Sequence, residues 1–175
     1  MIHNASLLHD DVIDHDDTRR GQPSVNARWS NPVAVLVGDY FLAQVMRILH
    51  EVNDPDATRR IIETVEAMVE SELLAQEVTE SLSSQVSVSL SHSVTQSLSH
   101  SETYLKIIDG KTARLFAAAA ALGNPAYEDY GLHYGRLFQL RDDVADGEAN
   151  EHTATLIAQE EEALAAIKKP LEGLN

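Results

Sequence analysis

Two five-residue stretches repeat one another along the chain: DDVID at Asp10–Asp14 and DDVAD at Asp142–Asp146. On a helix, positions i and i+4 point nearly the same way, about 6 Å apart along the axis. Asp10, Asp11 and Asp14 would therefore share one face, and so would Asp142, Asp143 and Asp146. Like charges at that spacing destabilise a helix by roughly 0.2–0.5 kcal/mol per pair, so the pattern calls for a cation. Oxygen ligands without cysteine or a histidine cage suit Mg²⁺, which takes carboxylates together with water and phosphate oxygens. One such stretch alone reads equally well as a solvated acidic face. Two, each with basic residues nearby, read as a divalent-metal site.

The basic residues suggest what else is held. Arg19-Arg20 follow the first cluster at once. If metal ions bridge the aspartates to a diphosphate, guanidinium forks can take its remaining oxygens bidentately; without the aspartates the pair would be two surface arginines at a helix end. Lys111-Thr112 sits among Ile107, Ile108, Ala113 and Leu115. A lysine there either snorkels to water or meets an anion. No Ser/His/Asp or Cys/His constellation is evident, so the chemistry expected is electrostatic rather than nucleophilic.

Composition narrows the classes. The chain has 175 residues, 43% of them hydrophobic, enough for one globular domain with a core. A formal charge of −15 argues against a nucleic-acid partner. The absence of cysteine excludes a disulfide framework and thiolate metal ligands. The longest apolar run, Leu115–Leu122, is far short of the ~20 residues of a membrane span, so no transmembrane segment is expected and the setting reads as cytoplasmic.

Helices must position these groups, and the chain reads as helical almost throughout. Asn31-Pro32 and Asp54-Pro55 are start signals. After the first, apolar residues occupy all sides, as in a central helix. Ser99 and Glu102 have the spacing of a capping box ahead of YLKIIDGKTARLFAAAAAL. Asn124-Pro125 opens a helix to about Asp146, where Gly131 and Gly135 mark close helix–helix approach, and a last helix covers about 151–169. Residues 81–104 form three imperfect Ser-rich octads with a period nearer two than 3.6, which predicts a low-complexity loop over 81–101 between helices. His92 and His100 lie within it as solvated residues.

Four stretches, IHNASLLHDDVIDHDDTRRGQP, VLVGDYFLAQ, YLKIIDGKTARLF and YGRLFQLRDDVAD, resemble in order those of the trans-isoprenyl diphosphate synthases (polyprenyl synthetases), most closely the medium-to-long-chain type. The resemblance implies an all-α helical bundle around a central cavity, with the two aspartate helices facing each other. It implies head-to-tail condensation: an allylic diphosphate ionises, the carbocation alkylates isopentenyl diphosphate, and a proton leaves. By the same resemblance, Asp10, Asp11, Asp14, Asp142 and Asp143 match Mg²⁺ ligands, and Asp146 completes the second set. Arg19, Lys111, Thr112 and Gln139 match holders of the allylic diphosphate; His3 and Arg20 match holders of isopentenyl diphosphate. Phe138 matches an aromatic beside the cation, and Ala5 and Ser6 fall where the family tunes chain length, their small size implying a longer product.

The chain also departs from the family pattern. Family members carry a Gly-Lys-Arg-rich clamp ahead of the first motif, whereas Met1 stands almost on it; after Asp146 no lysine occurs before Lys168. The usual Glu-x-x-Gln signature is stretched to Glu72–Gln76. The expectation is a shortened synthase with an incomplete helical shell, covering its exposed apolar faces as a homodimer or with a full-length synthase. The alternative is a non-catalytic small subunit or diphosphate-binding remnant. An HD-type phosphohydrolase, suggested by His9-Asp10, would leave Arg19-Arg20 and the second motif unexplained, and a class I terpene cyclase would carry a different second metal motif.

Overall fold

Side-chain caps set where the long helices begin. Ser30 Oγ accepts from Val33 N at 3.4 Å and starts α3 (Asn31–Val52), placing the cap one residue ahead of the expected Asn31. Asp54 Oδ1 accepts from Asp56 N and Ala57 N at 2.9 and 3.1 Å and opens α4 (Pro55–Gln85). These elements belong to a computed structural model that describes residues 1–85, 102–147, 149 and 152–171. Ahead of α3 come α1 (Ile2–Ile13), β1 (Thr18–Arg19), β2 (Gln22–Pro23) and α2 (Val25–Arg28). After α4 come α5 (102–108), a π-helical turn (Asp109–Ala113), α6 (Arg114–Gly123), a 3₁₀ turn (Pro125–Tyr127), α7 (Glu128–Asp146) and α8 (Thr153–Leu171). The all-α expectation holds apart from the small hairpin. α4 continues five residues into the first octad. The rest of the expected loop, with Ser99, His92 and His100, lies outside the described residues.

The chain's contacts gather into two compact units, Met1–Arg59 and Arg60–Asn175. In the first, α1 packs on α3 and α2. The His9 ring lies where a Cβ on Gly38 would stand, so only glycine allows this approach. His9 Nε2 meets Asp39 Oδ1 and Val35 O, both at 3.3 Å, and is thus used in helix packing. α3 is not the buried central helix its composition suggested. Ala34 and Gly38 are its buried residues, while Leu36, Tyr40, Met46 and Val52 are exposed. A 12-residue α1, about 18 Å long, cannot cover a 22-residue helix of about 33 Å. By length and composition α3 is also the one helix among the described residues that could cross a membrane, although polar residues interrupt its apolar sequence.

The hairpin was not expected either. Thr18 pairs with Pro23 and Arg19 with Gln22, leaving Arg20 and Gly21 as a two-residue turn with φ of 53° and 73°. Positive φ at both positions is what a type I′ turn needs, natural for Gly21 and uncommon for arginine.

In the second unit, α7 packs against α6, α8 and the π-helical turn. Ala113, Ala117, Ala118 and Ala121 give the π turn and α6 a flat buried face. A Cβ on Gly131 would stand 2.7 Å from Phe116 O, and one on Gly135 2.6 Å from Ala113 Cα, so the glycines mark close approach as their spacing suggested. Ile108, Leu140 and Leu156 form a core cluster with Tyr104, Leu105 and Ile157 against it. Beside it, buried Glu160 takes His133 Nδ1 at 2.5 Å and Arg136 Nη1 at 3.5 Å, tying α8 to α7.

Candidate metal and diphosphate site

The first cluster is built on α1 and the hairpin that follows it. Asp11 is 4% exposed, Asp10 half-buried and Asp14 exposed. The hairpin returns Arg19 to Asp11: Nε donates to Oδ1 at 2.8 Å and Nη2 to the same oxygen. Arg19 also lies 3.5 Å from Asp16 Oδ2. Burial works to lower the Arg19 pKa, but the hydrogen bond to Asp11 and the charges of Asp11, Asp16 and Asp10 outweigh it and hold the guanidinium above its usual value. The connecting loop is latched by Ser24 Oγ donating to Asp16 O at 2.7 Å. Asn26 Nδ2 donates to Asp11 O and Asp16 O at 3.1 and 3.0 Å.

His3, on α1, has its pKa lowered first by burial, then by Arg20, the amino group of Met1 and Arg19. The imidazole therefore lies within reach of both arginine charges. Ala5 is buried at 1% exposure, and Ser6 Oγ donates to His3 O at 3.0 Å. Ser6 lies one turn before Asp10 on the same helix face.

The second cluster ends α7. Asp143 is 8% exposed, with Asp142 and Asp146 on the surface. One turn earlier, Gln139 Nε2 donates to Asp143 Oδ1 at 2.8 Å, and Thr112 Oγ1 donates to Gln139 Oε1 at 2.7 Å. Three residues singled out from sequence thus stand in one hydrogen-bonded line.

The π-helical turn makes that line possible. It interrupts what reads as one continuous helix, and such turns often sit at functional sites. Gly110 is needed because a Cβ there would meet Ala67 O at 2.5 Å as well as the Ser71 side chain. Arg136 clamps Asp109 through Nε–Oδ1 at 2.5 Å and Nη2–Oδ2 at 2.7 Å. That hydrogen bond is the main reason the Arg136 pKa lies above its ordinary value, against the opposing effect of burial. Lys111 leaves the turn and meets Glu72 Oε2 at 2.7 Å, so the anion beside this lysine is a carboxylate of the chain itself. Phe138, nearly half exposed, packs at a tilt against Phe116 with ring centroids 5.5 Å apart, one helical turn before Asp142.

Sequence reasoning missed Tyr104, whose hydroxyl donates to Asp143 Oδ2, because it counted as the last residue of a Ser-rich octad. It noticed Glu72 only as part of a stretched signature, since nothing in a linear sequence links it to Lys111. Among the described residues, no three histidine or carboxylate side chains converge tightly enough to cage a metal on their own. The donor set still fits Mg²⁺. Each cluster offers one buried, hydrogen-bonded carboxylate beside exposed ones, and Mg²⁺ is ordinarily held by one or two carboxylates with water and substrate phosphate.

The polyprenyl synthetase family model matches residues 1–159. The chain belongs to the polyprenyl synthetase family. It is 33% identical over 155 residues to the all-trans-nonaprenyl-diphosphate synthase (geranyl-diphosphate specific) of Rhodobacter capsulatus, covering 83% of this chain and 43% of that protein. It is likewise 33% identical over 161 residues to heptaprenyl diphosphate synthase component 2 of Bacillus subtilis, covering 86% of this chain and 42% of that one. A crystal structure of polyprenyl synthase from Caulobacter crescentus, complexed with calcium and isoprenyl diphosphate, superposes with a TM-score of 0.65 at 35% identity, over 81% of this chain and 42% of the other. This chain therefore spans less than half the length of the curated relatives it matches.

Proposed function

We propose that this chain supports Mg²⁺-dependent prenyl transfer, the head-to-tail condensation of isopentenyl diphosphate with an allylic diphosphate to give a polyprenyl diphosphate, in a cytoplasmic setting. The observation that carries the reading is the line Thr112–Gln139–Asp143, which joins a candidate metal carboxylate to two candidate diphosphate-binding groups. Asp10, Asp11, Asp14, Asp142, Asp143 and Asp146 would hold the metal. When bound, Mg²⁺ supplies charge stabilisation to the departing diphosphate.

The other roles fall to the chain's own groups. Arg19, Lys111, Thr112 and Gln139 grip the allylic diphosphate, and Lys111 must exchange Glu72 for the ligand. Glu72 and Asp11 hold these two cations in place until a diphosphate competes for them. His3 and Arg20 hold the isopentenyl diphosphate. Phe138 offers an aromatic face to the carbocation, with the Phe116 ring packed beside it. Ala5 and Ser6, on the α1 stretch before Asp10, set how far the product grows.

Incubation with Mg²⁺, labelled isopentenyl diphosphate and farnesyl diphosphate should give extractable lipid of increased chain length, and Asp11→Asn should abolish it. A second reading is that the chain works only with another synthase chain, or as a homodimer. The similarity to a relative named as a component and the exposed apolar residues of α3 favour this. Activity appearing only on mixing with a full-length synthase would select it. Absence of any Mg²⁺-dependent binding of an allylic diphosphate would sink both.

A further inference from the structure

Tyr104 closes the Ser-rich octads in sequence, yet in the fold it belongs to the second aspartate cluster. It lies in α5 with its ring packed against the Ile108, Leu140 and Leu156 core. Its hydroxyl donates to Asp143 Oδ2, while Gln139 Nε2 donates to Oδ1. Both oxygens of a carboxylate that is 8% exposed are therefore oriented by the protein.

The kind of donor matters. Asp11 is paired with a guanidinium, which neutralises it. A phenol and an amide carry no charge, so they fix the direction of Asp143 without cancelling its negative charge. An ionised carboxylate has about four lone-pair positions, so two neutral hydrogen bonds leave acceptor capacity for a metal ion.

We propose that Tyr104 is a positioning residue that preorganises Asp143 for a divalent cation; this rests on Asp143 being a metal ligand. Gln139 is only one turn away on the same helix as Asp143. Tyr104 comes from a different helix and is anchored by core packing, so it holds the second carboxylate oxygen from a direction that the Thr112–Gln139 line does not supply. Partners that orient a metal ligand typically contribute ten- to a hundred-fold to metal affinity.

The test compares the 175-residue chain with Tyr104→Phe and Asp143→Asn. Mn²⁺ is titrated in the presence of inorganic diphosphate, with free Mn²⁺ followed by electron paramagnetic resonance well below the melting temperature. Tyr104→Phe keeps the ring and its packing. Its Mn²⁺ dissociation constant should rise roughly ten- to a hundred-fold, while diphosphate affinity at saturating Mn²⁺ stays within about two-fold of the parent. A merely structural role would weaken both together, and that result overturns the proposal. So does an unchanged Mn²⁺ affinity in Tyr104→Phe when Asp143→Asn loses binding, which leaves the metal assignment of Asp143 standing. Unchanged Mn²⁺ binding in Asp143→Asn overturns that assignment and the role of Tyr104 with it.

Discussion

Arg19 pairs with Asp11, a carboxylate proposed to hold the metal, and replacing it with glutamine separates its stabilising role from that of a bound cation. Removing one member of a fully buried ion pair destabilises a fold by about 3–5 kcal/mol. Here the carboxylate side chain is 5% exposed but the guanidinium is 37% exposed, so water can partly solvate the vacated face and about half that figure is expected, roughly 2 kcal/mol. For a chain of this size that corresponds to a fall of about 4–8 °C in melting temperature. A cation at the same carboxylate should reverse it: at a hundred times its dissociation constant, a ligand that binds only the native state adds about 2.7 kcal/mol. Thermal unfolding followed by circular dichroism, with and without saturating Mg²⁺, measures both effects. Arg19→Gln should melt lower than the parent without metal and gain more from Mg²⁺. An unchanged metal-free melting point, or an equal Mg²⁺ gain in both proteins, would refute the idea that guanidinium and metal balance the same carboxylate.

Gly135→Ala places a methyl 2.6 Å from Ala113 Cα and 3.2 Å from its carbonyl oxygen; because these are backbone atoms, a loss of about 1–3 kcal/mol in urea unfolding is expected, and parent-like stability would mean that α7 and the π turn do not touch as described. His3 takes up its proton less readily in the folded chain than in the unfolded one, for burial and the nearby positive groups lower its pKa. The unfolded state thus binds more protons as pH falls below about 6.5, and stability must decline there and be fully present above it. His3→Gln should flatten the stability difference between pH 7.5 and 5.5, and parallel curves for the two proteins would exclude the effect.

Much of the candidate site was proposed from the linear sequence, because carboxylate and guanidinium chemistry leaves few uses for two DDxxD stretches with arginines behind one of them. The helices could be read as well, since Pro32, Asp54, Pro55 and Asn124 mark starts that depend only on local backbone geometry. The near contacts of Gly131 and Gly135 followed from their spacing alone. Other features depended on residues far apart in sequence. The hairpin at Thr18–Pro23 is two residues deep on each side, too short for any periodicity to register, and it is what returns Arg19 to Asp11. The π-helical turn keeps a helical composition and shows itself only through Arg136 on Asp109 and the close approach at Gly110. Lys111 finds Glu72, and Tyr104 finds Asp143, across stretches that a local pattern cannot bridge. Residue types alone thus determined which groups carry charge and which elements carry the groups. Tertiary packing decided which charge each group meets, because a pairing energy depends on distance and burial that the order of residues does not encode.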